Sequence, residues 1–248
     1  MKNSSIIWPD DGKEMVFLTG GVFTMGSDAD AENVRPAHRV SVADFYIDRW
    51  PVTNAEYKTF IDATGHPVPV YDVPWCDTAA YNWDKEAGMY PPGKENYPVV
   101  LVTWEDARAY AAWANKRLPT EAEWEFAARG AAGRRWPWGN HFKINHSNTV
   151  EAHLQGLAPV DAFSPQGDTP EGVMDMVGNT WEWTGSLYLP YPYNAEDGRE
   201  DPLSDKWRVL RGASWVNDSS AATALTRLDG DFLFYNNVGF RCAVLAGA

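Results

Sequence analysis

The spacing of apolar and polar residues divides the chain into short regular elements separated by long irregular stretches. Glu14 to Phe23 and His38 to Tyr46 alternate or run apolar in the manner of β segments, as do Arg208 to Leu210 and Val238 to Val244. The first and last of these are expected to pair and bring the chain ends together. Thr53-Asn54-Ala55-Glu56 is a capping box, so a helix is predicted through about Ala63, stopped by Gly65 and Pro67. Thr103 to Asp106 opens a second helix, with Ala107, Tyr110, Ala111 and Ala114 at helical spacing. Thr120 to Glu123 repeats the device, and that helix ends at Gly130. Residues 65–100 and 131–205 read as turn-rich loops, of a length that is usually functional or pinned by ions. No repeat or low-complexity linker divides the chain, so one domain over residues 1–248 is predicted.

Composition supports a packed core. Hydrophobic residues make up 44% of 248, with 13 Trp, 11 Tyr and 10 Phe. The net charge of −13 argues against a nucleic-acid or anionic-membrane partner, since phosphates would be repelled. It is compatible with acidic pockets for a hard cation, although solubility alone accounts for most of it. No run of about 18 apolar residues occurs, so no membrane span is expected. The first nine residues lack the apolar stretch of a signal peptide, and a cytoplasmic location is the default expectation. Cys76 and Cys242 leave a single disulfide open but no CxxC or zinc pattern.

The motifs are more specific. Phe23-Thr24-Met25-Gly26-Ser27 precedes Arg35-Pro36, His38, Pro51-Val52-Thr53-Asn54 and Pro98-Val99. Arg117-Leu118-Pro119-Thr120-Glu121-Ala122-Glu123-Trp124-Glu125 and Trp138-Gly139-Asn140 follow. The series closes with Val177-Gly178-Asn179, Trp181-Glu182-Trp183, Arg211-Gly212, Ser214-Trp215 and Gly239-Phe240-Arg241. In this order and spacing the chain resembles the formylglycine-generating-enzyme (sulfatase-modifying factor) family across nearly its whole length. The resemblance implies an α+β, C-type-lectin-related fold with few regular elements and long loops, stabilised by calcium.

Calcium takes six to eight oxygen ligands, often from carboxylates and loop carbonyls. By match to the family, Asp175, Glu182 and the carbonyls of Gly178 and Thr180 would form one shell. Asn148 and the Thr149 carbonyl would belong to a second, completed near Leu154, where Ala152 stands in place of the family's acidic ligand. Glu151 is the available substitute. His38 lies within a motif and reads as a hydrogen-bonded structural residue. Glu121, Glu123 and Glu125 read as capping and surface salt-link residues.

The activity that gives the family its name uses copper on a cysteine pair just past the Gly-x-Ser-aromatic motif. Here Gly212-Ala213-Ser214-Trp215 is followed by Val216 to Ala222 without a cysteine. Cu(I) prefers thiolates, which Asn, Ser and Ala do not supply. A second enzymatic branch takes iron on histidines of an added N-terminal helical domain, which is not expected here. His141, His146 and His153 share one loop but have no tight ligand spacing.

Residues 216–238 read VNDSSAATALTRLDGDFLFYNNV. They contain no Glu, Lys, Gln, Met or Trp, where the composition of the chain predicts about four. Every residue type present is reachable from the codon AAC by changing adenines alone. The pattern resembles the variable proteins of diversity-generating retroelements, which use this same fold and rewrite a C-terminal segment into a binding face. The resemblance implies variable ligand contacts at Val216, Asp218, Ser220, Ala222, Leu225, Leu228 and Asp229, continuing through Asp231, Phe232, Leu233, Phe234 and Tyr235. Arg227, Asn236, Asn237, Gly239, Phe240 and Arg241 would be framework. The apolar run 232–235 suits either an exposed contact surface or a buried strand. The expected function is a non-catalytic ligand-binding protein, diversified in its C-terminal segment, with a protein as the ligand. An enzyme of a biosynthetic pathway and a regulatory paralogue are the alternatives.

Overall fold

A computed structural model describes residues 5–72, 77–230 and 236–247. Three helices form where the capping boxes stand: α1 (Asn54–Thr64), α2 (Trp104–Trp113) and α3 (Glu121–Arg129). In each, the Thr hydroxyl accepts the N3 amide and the N3 carboxylate accepts the cap amide. Gly65 closes α1 at a φ of 71°, a backbone region that costs glycine little.

The strands are shorter and more numerous than the pattern predicted. β1 (Ser5–Ile7), β2 (Glu14–Leu18), β5 (Phe45–Asp48) and β10 (Ala243–Leu245) form one antiparallel sheet in the order β1-β2-β5-β10. β3 (Gly21–Met25) pairs with β4 (His38–Val42) in a separate hairpin. The third sheet has the order β8-β7-β6-β9, from β6 (Trp181–Leu187), β7 (Arg208–Arg211), β8 (Arg227–Gly230) and β9 (Val238–Phe240).

Each expected long strand is therefore split between two sheets. Gly20 turns the first corner: a Cβ there would lie 2.3 Å from the Val42 carbonyl oxygen. The last expected strand divides at Arg241 and Cys242, where the Cys242 amide donates to Asp48. The first and last segments share a sheet but do not pair, because β5 lies between β2 and β10. β6, central to the third sheet, falls in a region expected to be loop. Its Glu, Thr, Gly and Ser obscured the strand pattern, yet Thr184 and Ser186 are buried and bonded to Val209 and Glu200.

α3 packs against β3, β4, β6 and β7, and all nine of its residues are buried. Trp124 is enclosed and donates to Glu182. The three glutamates expected at the surface are therefore interior. Glu121 and Glu125 meet buried arginines, and Glu123 pairs with Arg117 while capping the helix. A second focus of packing is the stack of Tyr57 on Tyr110, with Phe240 set edge-on to both. Among the described residues no helix is long and apolar enough to cross a membrane.

Candidate functional site

The C-terminal segment is held chiefly through its backbone. Arg211 on β7 donates to the carbonyls of Leu225 and Ala224 at 2.9 and 3.0 Å, and it pairs with Glu125 at 2.6 Å. The Trp136 indole donates to the Ala222 carbonyl, and the Ala224 amide donates to the Arg135 carbonyl. Asn33 donates its side-chain amide to the Arg227 carbonyl at 3.1 Å. Arg227 itself is buried and donates to the carbonyls of Asn33 and Leu189. Its Nε lies 2.7 Å from Glu121 without hydrogen-bond alignment, while Nη2 donates to the same carboxylate at 3.1 Å. Its guanidinium also sits over Tyr188 and Tyr191.

The ends of the segment are tied down through their own side chains as well. At the start, Asn217 accepts from the amide and hydroxyl of Ser214. The Asn217 carbonyl accepts from Val150, and the Ser219 amide donates to Glu151. Asp218 accepts from the Ser220 hydroxyl and the amides of Ala221 and Ser220, which hold its carboxyl below the usual range. β8 pairs with β7 from Arg227 to Gly230. At the far end, Asn237 donates to Ser214, Asn236 donates to the Asp77 carbonyl, and Arg241 is enclosed against Glu182.

These anchors divide the expected contact residues. Val216 and Leu228 are 47% and 43% exposed, Asp218 and Ser220 are also exposed, and Asp229 is half-buried. Ala222 and Leu225 are corrected to interior positions, drawn inward where Trp136 and Arg211 bind their carbonyls. Asp231, Phe232, Leu233, Phe234 and Tyr235 lie outside the described residues. Two positions beside the segment carried no usable sequence pattern. Val150 and Leu154 each expose about half of an apolar side chain, and Val150 is bonded to Asn217. A groove of about 260 Å³ runs between Asn33, Arg135, Ser220 and Thr226, and a wider one of about 910 Å³ lies past Arg227 and Tyr188.

The residues implied for calcium are close in the fold. Gly178 has a φ of 81°, and a Cβ on it would lie 2.5 Å from the Asn148 carbonyl oxygen. Asn179 bridges Asn148, Ala158 and Asp175. Asn148 Oδ1 is buried without a hydrogen-bond partner among the described residues, as is Thr180 Oγ1. An orphaned amide oxygen beside carbonyls fits a hard cation. Asp175 is pushed up to about 7, chiefly by burial. Glu182 is committed elsewhere: Arg241 and the Trp124 indole take both of its oxygens. Thr149 donates its hydroxyl to Glu151, and Leu154 is exposed. Among the described residues no three His, Cys, Asp or Glu side chains converge on a metal position.

His38 bonds the Pro36 carbonyl and accepts from the Tyr193 amide, which fits its expected structural role. Cys242 is fully buried, and burial raises its thiol pKa well above the ordinary value. Cys76 lies outside the described residues.

Compared with known proteins, residues 8–246 match the family described as sulfatase-modifying factor enzyme 1-like domain. The chain is 37% identical over 281 residues to the inactive C-alpha-formylglycine-generating enzyme 2 of Mus musculus, covering 94% of this chain and 86% of that one. It is 35% identical over 292 residues to the formylglycine-generating enzyme of Streptomyces coelicolor, covering 95% and 90%. Among solved structures, Treponema denticola variable protein 1 superposes with a TM-score of 0.72 at 18% identity, covering 97% and 98%, which shows a shared fold.

Proposed function

The chain belongs to the sulfatase-modifying factor enzyme 1-like domain family, and within it we propose a non-catalytic ligand-binding protein that presents its C-terminal segment as a binding face. The observation that carries this reading is how the segment is held. Scaffold side chains grip the main-chain carbonyls of Ala222, Ala224, Leu225 and Arg227. Each such bond contributes about 1 kcal/mol whatever side chain the gripped residue carries. The exposed side chains of Val216 and Leu228 are then free to change, and those of Asp218 and Ser220 bond only within their own exposed turn, so that changing them costs little. A surface so built suits diversification, and the composition of residues 216–238 supports the same reading. The ligand is proposed to be a protein, because Val216, Val150 and Leu154 add exposed apolar area of the kind found in protein interfaces.

The absence of a cysteine after Ser214-Trp215 supports a role other than copper-dependent oxidation, as does the inactive relative. Asn217 there serves the turn, its amide oxygen accepting twice from Ser214. Calcium is proposed at Asn148 Oδ1 with the Thr149 carbonyl and with Asp175 nearby, where it would fix the loop that holds Asn217 and Ser219. Glu182 is omitted from the proposed ligands because Arg241 occupies it.

The test is a library randomised at Val216, Asp218, Ser220 and Leu228. Most members should unfold within about 2 °C of the parent, since exposed substitutions usually cost less than 0.5 kcal/mol. Selection against a panel of proteins should yield binders with different specificities. A library that largely fails to fold would show that these side chains are structural.

A further inference from the structure

Eight cationic side chains are buried among the described residues. Seven have a carboxylate partner: Lys13, Lys116, Arg129, Arg199, Arg211, Arg227 and Arg241. Arg208 has none, although it is only 4% exposed. It donates to the carbonyls of Gly185 and Ser204, each at 2.9 Å, and its guanidinium lies 3.9 Å from the centre of the Trp104 ring. These contacts orient the group but bring no carboxylate into ion-pair contact with it; Glu105, Asp201 and Glu200 act on its charge only from a distance, an expensive arrangement for a buried cation. Burial accordingly holds its pKa below the ordinary arginine value.

Arg208 walls a cavity of about 410 Å³ between the first turn of α2, the loop 202–207 and the end of β8. That volume is in the range of small-molecule sites. Trp104 and Trp183 give it flat apolar walls, and both rings are fixed by indole bonds to the Thr184 and Val102 carbonyls. Gly230 keeps the space clear: a Cβ there would lie 2.0 Å from the Trp183 ring. At the mouth, Leu203 is 86% and Trp207 50% exposed, large apolar groups left in water on either side of Lys206. The lining sets three cations, Arg108, Lys206 and Arg208, against two acids, Glu105, which pairs with Arg108, and Asp205. The cavity is therefore locally cationic in a chain of net charge −13.

We propose that this cavity binds a flat aromatic carboxylate. Its ring would lie against the tryptophans, its carboxylate would supply the counter-charge that Arg208 lacks, and Lys206 would close over it. A small inorganic anion would leave the apolar walls uncovered. An organic cation would face Arg208 and Lys206, and a neutral arene would leave Arg208 uncompensated. Apart from Gly230, the site shares no residue with the carbonyl-held face proposed above, so either reading stands if the other fails.

The test uses the full chain and 2-naphthoate, followed by calorimetry and tryptophan quenching. One-to-one binding is expected, with the neutral analogue 2-naphthalenemethanol weaker by about tenfold. Lys206→Glu alters an exposed side chain and should weaken 2-naphthoate by about fivefold or more while sparing the neutral analogue. Arg208→Met should erase the preference for the anion. If that variant does not fold, Lys206→Glu and the anion-to-neutral comparison decide the matter alone. The proposal is overturned by no saturable binding up to about 5 mM, by equal affinity for the two probes, or by an unchanged Kd in Lys206→Glu.

Discussion

Arg227→Met removes the side chain that ties the C-terminal segment to α3, while keeping an unbranched apolar stem. Glu121, fully buried, would keep the Tyr191 hydroxyl at 3.0 Å and a distant Arg211 nitrogen at 3.5 Å. Stripping one partner from a buried ion pair costs about 3–5 kcal/mol. The carbonyls of Asn33 and Leu189 also lose donors, at about 1 kcal/mol each, and the guanidinium contacts with Tyr188 and Tyr191 go with them. These effects share one side chain and do not add, so about 4 kcal/mol is the working figure. For a chain of this size that lowers Tm by about 8–16 °C. Thermal unfolding by circular dichroism measures it, with Leu228→Ser as the exposed neighbour on the same strand. That control should shift Tm by less than about 2 °C. Glu121→Gln combined with Arg227→Met should cost less than the sum of the two. Equal shifts for Arg227→Met and Leu228→Ser would refute the division into anchor and display positions.

Three further outcomes are expected. Glu56 is pushed up by burial, but the Lys13 ammonium, the Thr53 amide and Trp50 more than reverse this and hold its pKa below the ordinary value. A depressed carboxyl stabilises the fold above the unfolded pKa of about 4.3 and loses that contribution as pH falls through its folded value. Urea titrations should show stability falling below about pH 4.3, and Glu56→Gln should flatten that limb. The same variant should cost about 3–5 kcal/mol at pH 7, because Lys13 is buried against Glu56. Calcium at about 100 times its Kd should add about 2.7 kcal/mol relative to chelator-treated protein; scanning calorimetry reads the shift, and Asn148→Ala should abolish it. Glu151→Ala should loosen residues 217–219, seen as faster amide exchange at Ser219, whose amide Glu151 now accepts.

The helices were legible because each start is encoded locally, in a Thr and an acid three residues on. The sheets were less so. Gly20 and Arg241 turn the chain from one sheet to another through contacts with residues far away in sequence. β6 was hidden because its polar residues find their partners on other parts of the chain, Val209 across the sheet and Glu200 in the loop that follows. Within the segment, composition drew attention to residues 216–238, but the buried places of Ala222 and Leu225 depend on Trp136 and Arg211. Alternation could not have revealed that. The Arg208 cavity was beyond sequence reading altogether, since an unpaired charge is recognised only when its neighbours are known.

Whether the C-terminal segment is diversified is tested most directly by sequencing the 3′ end of the gene and its flanks. A diversified segment requires a nearby near-copy of the codons for residues 216–238, differing only where the copy carries adenine. The differences should fall on the exposed positions Val216, Asp218, Ser220 and Leu228 and spare Arg227. No such copy, together with an unchanged segment in sister isolates, would contradict diversification.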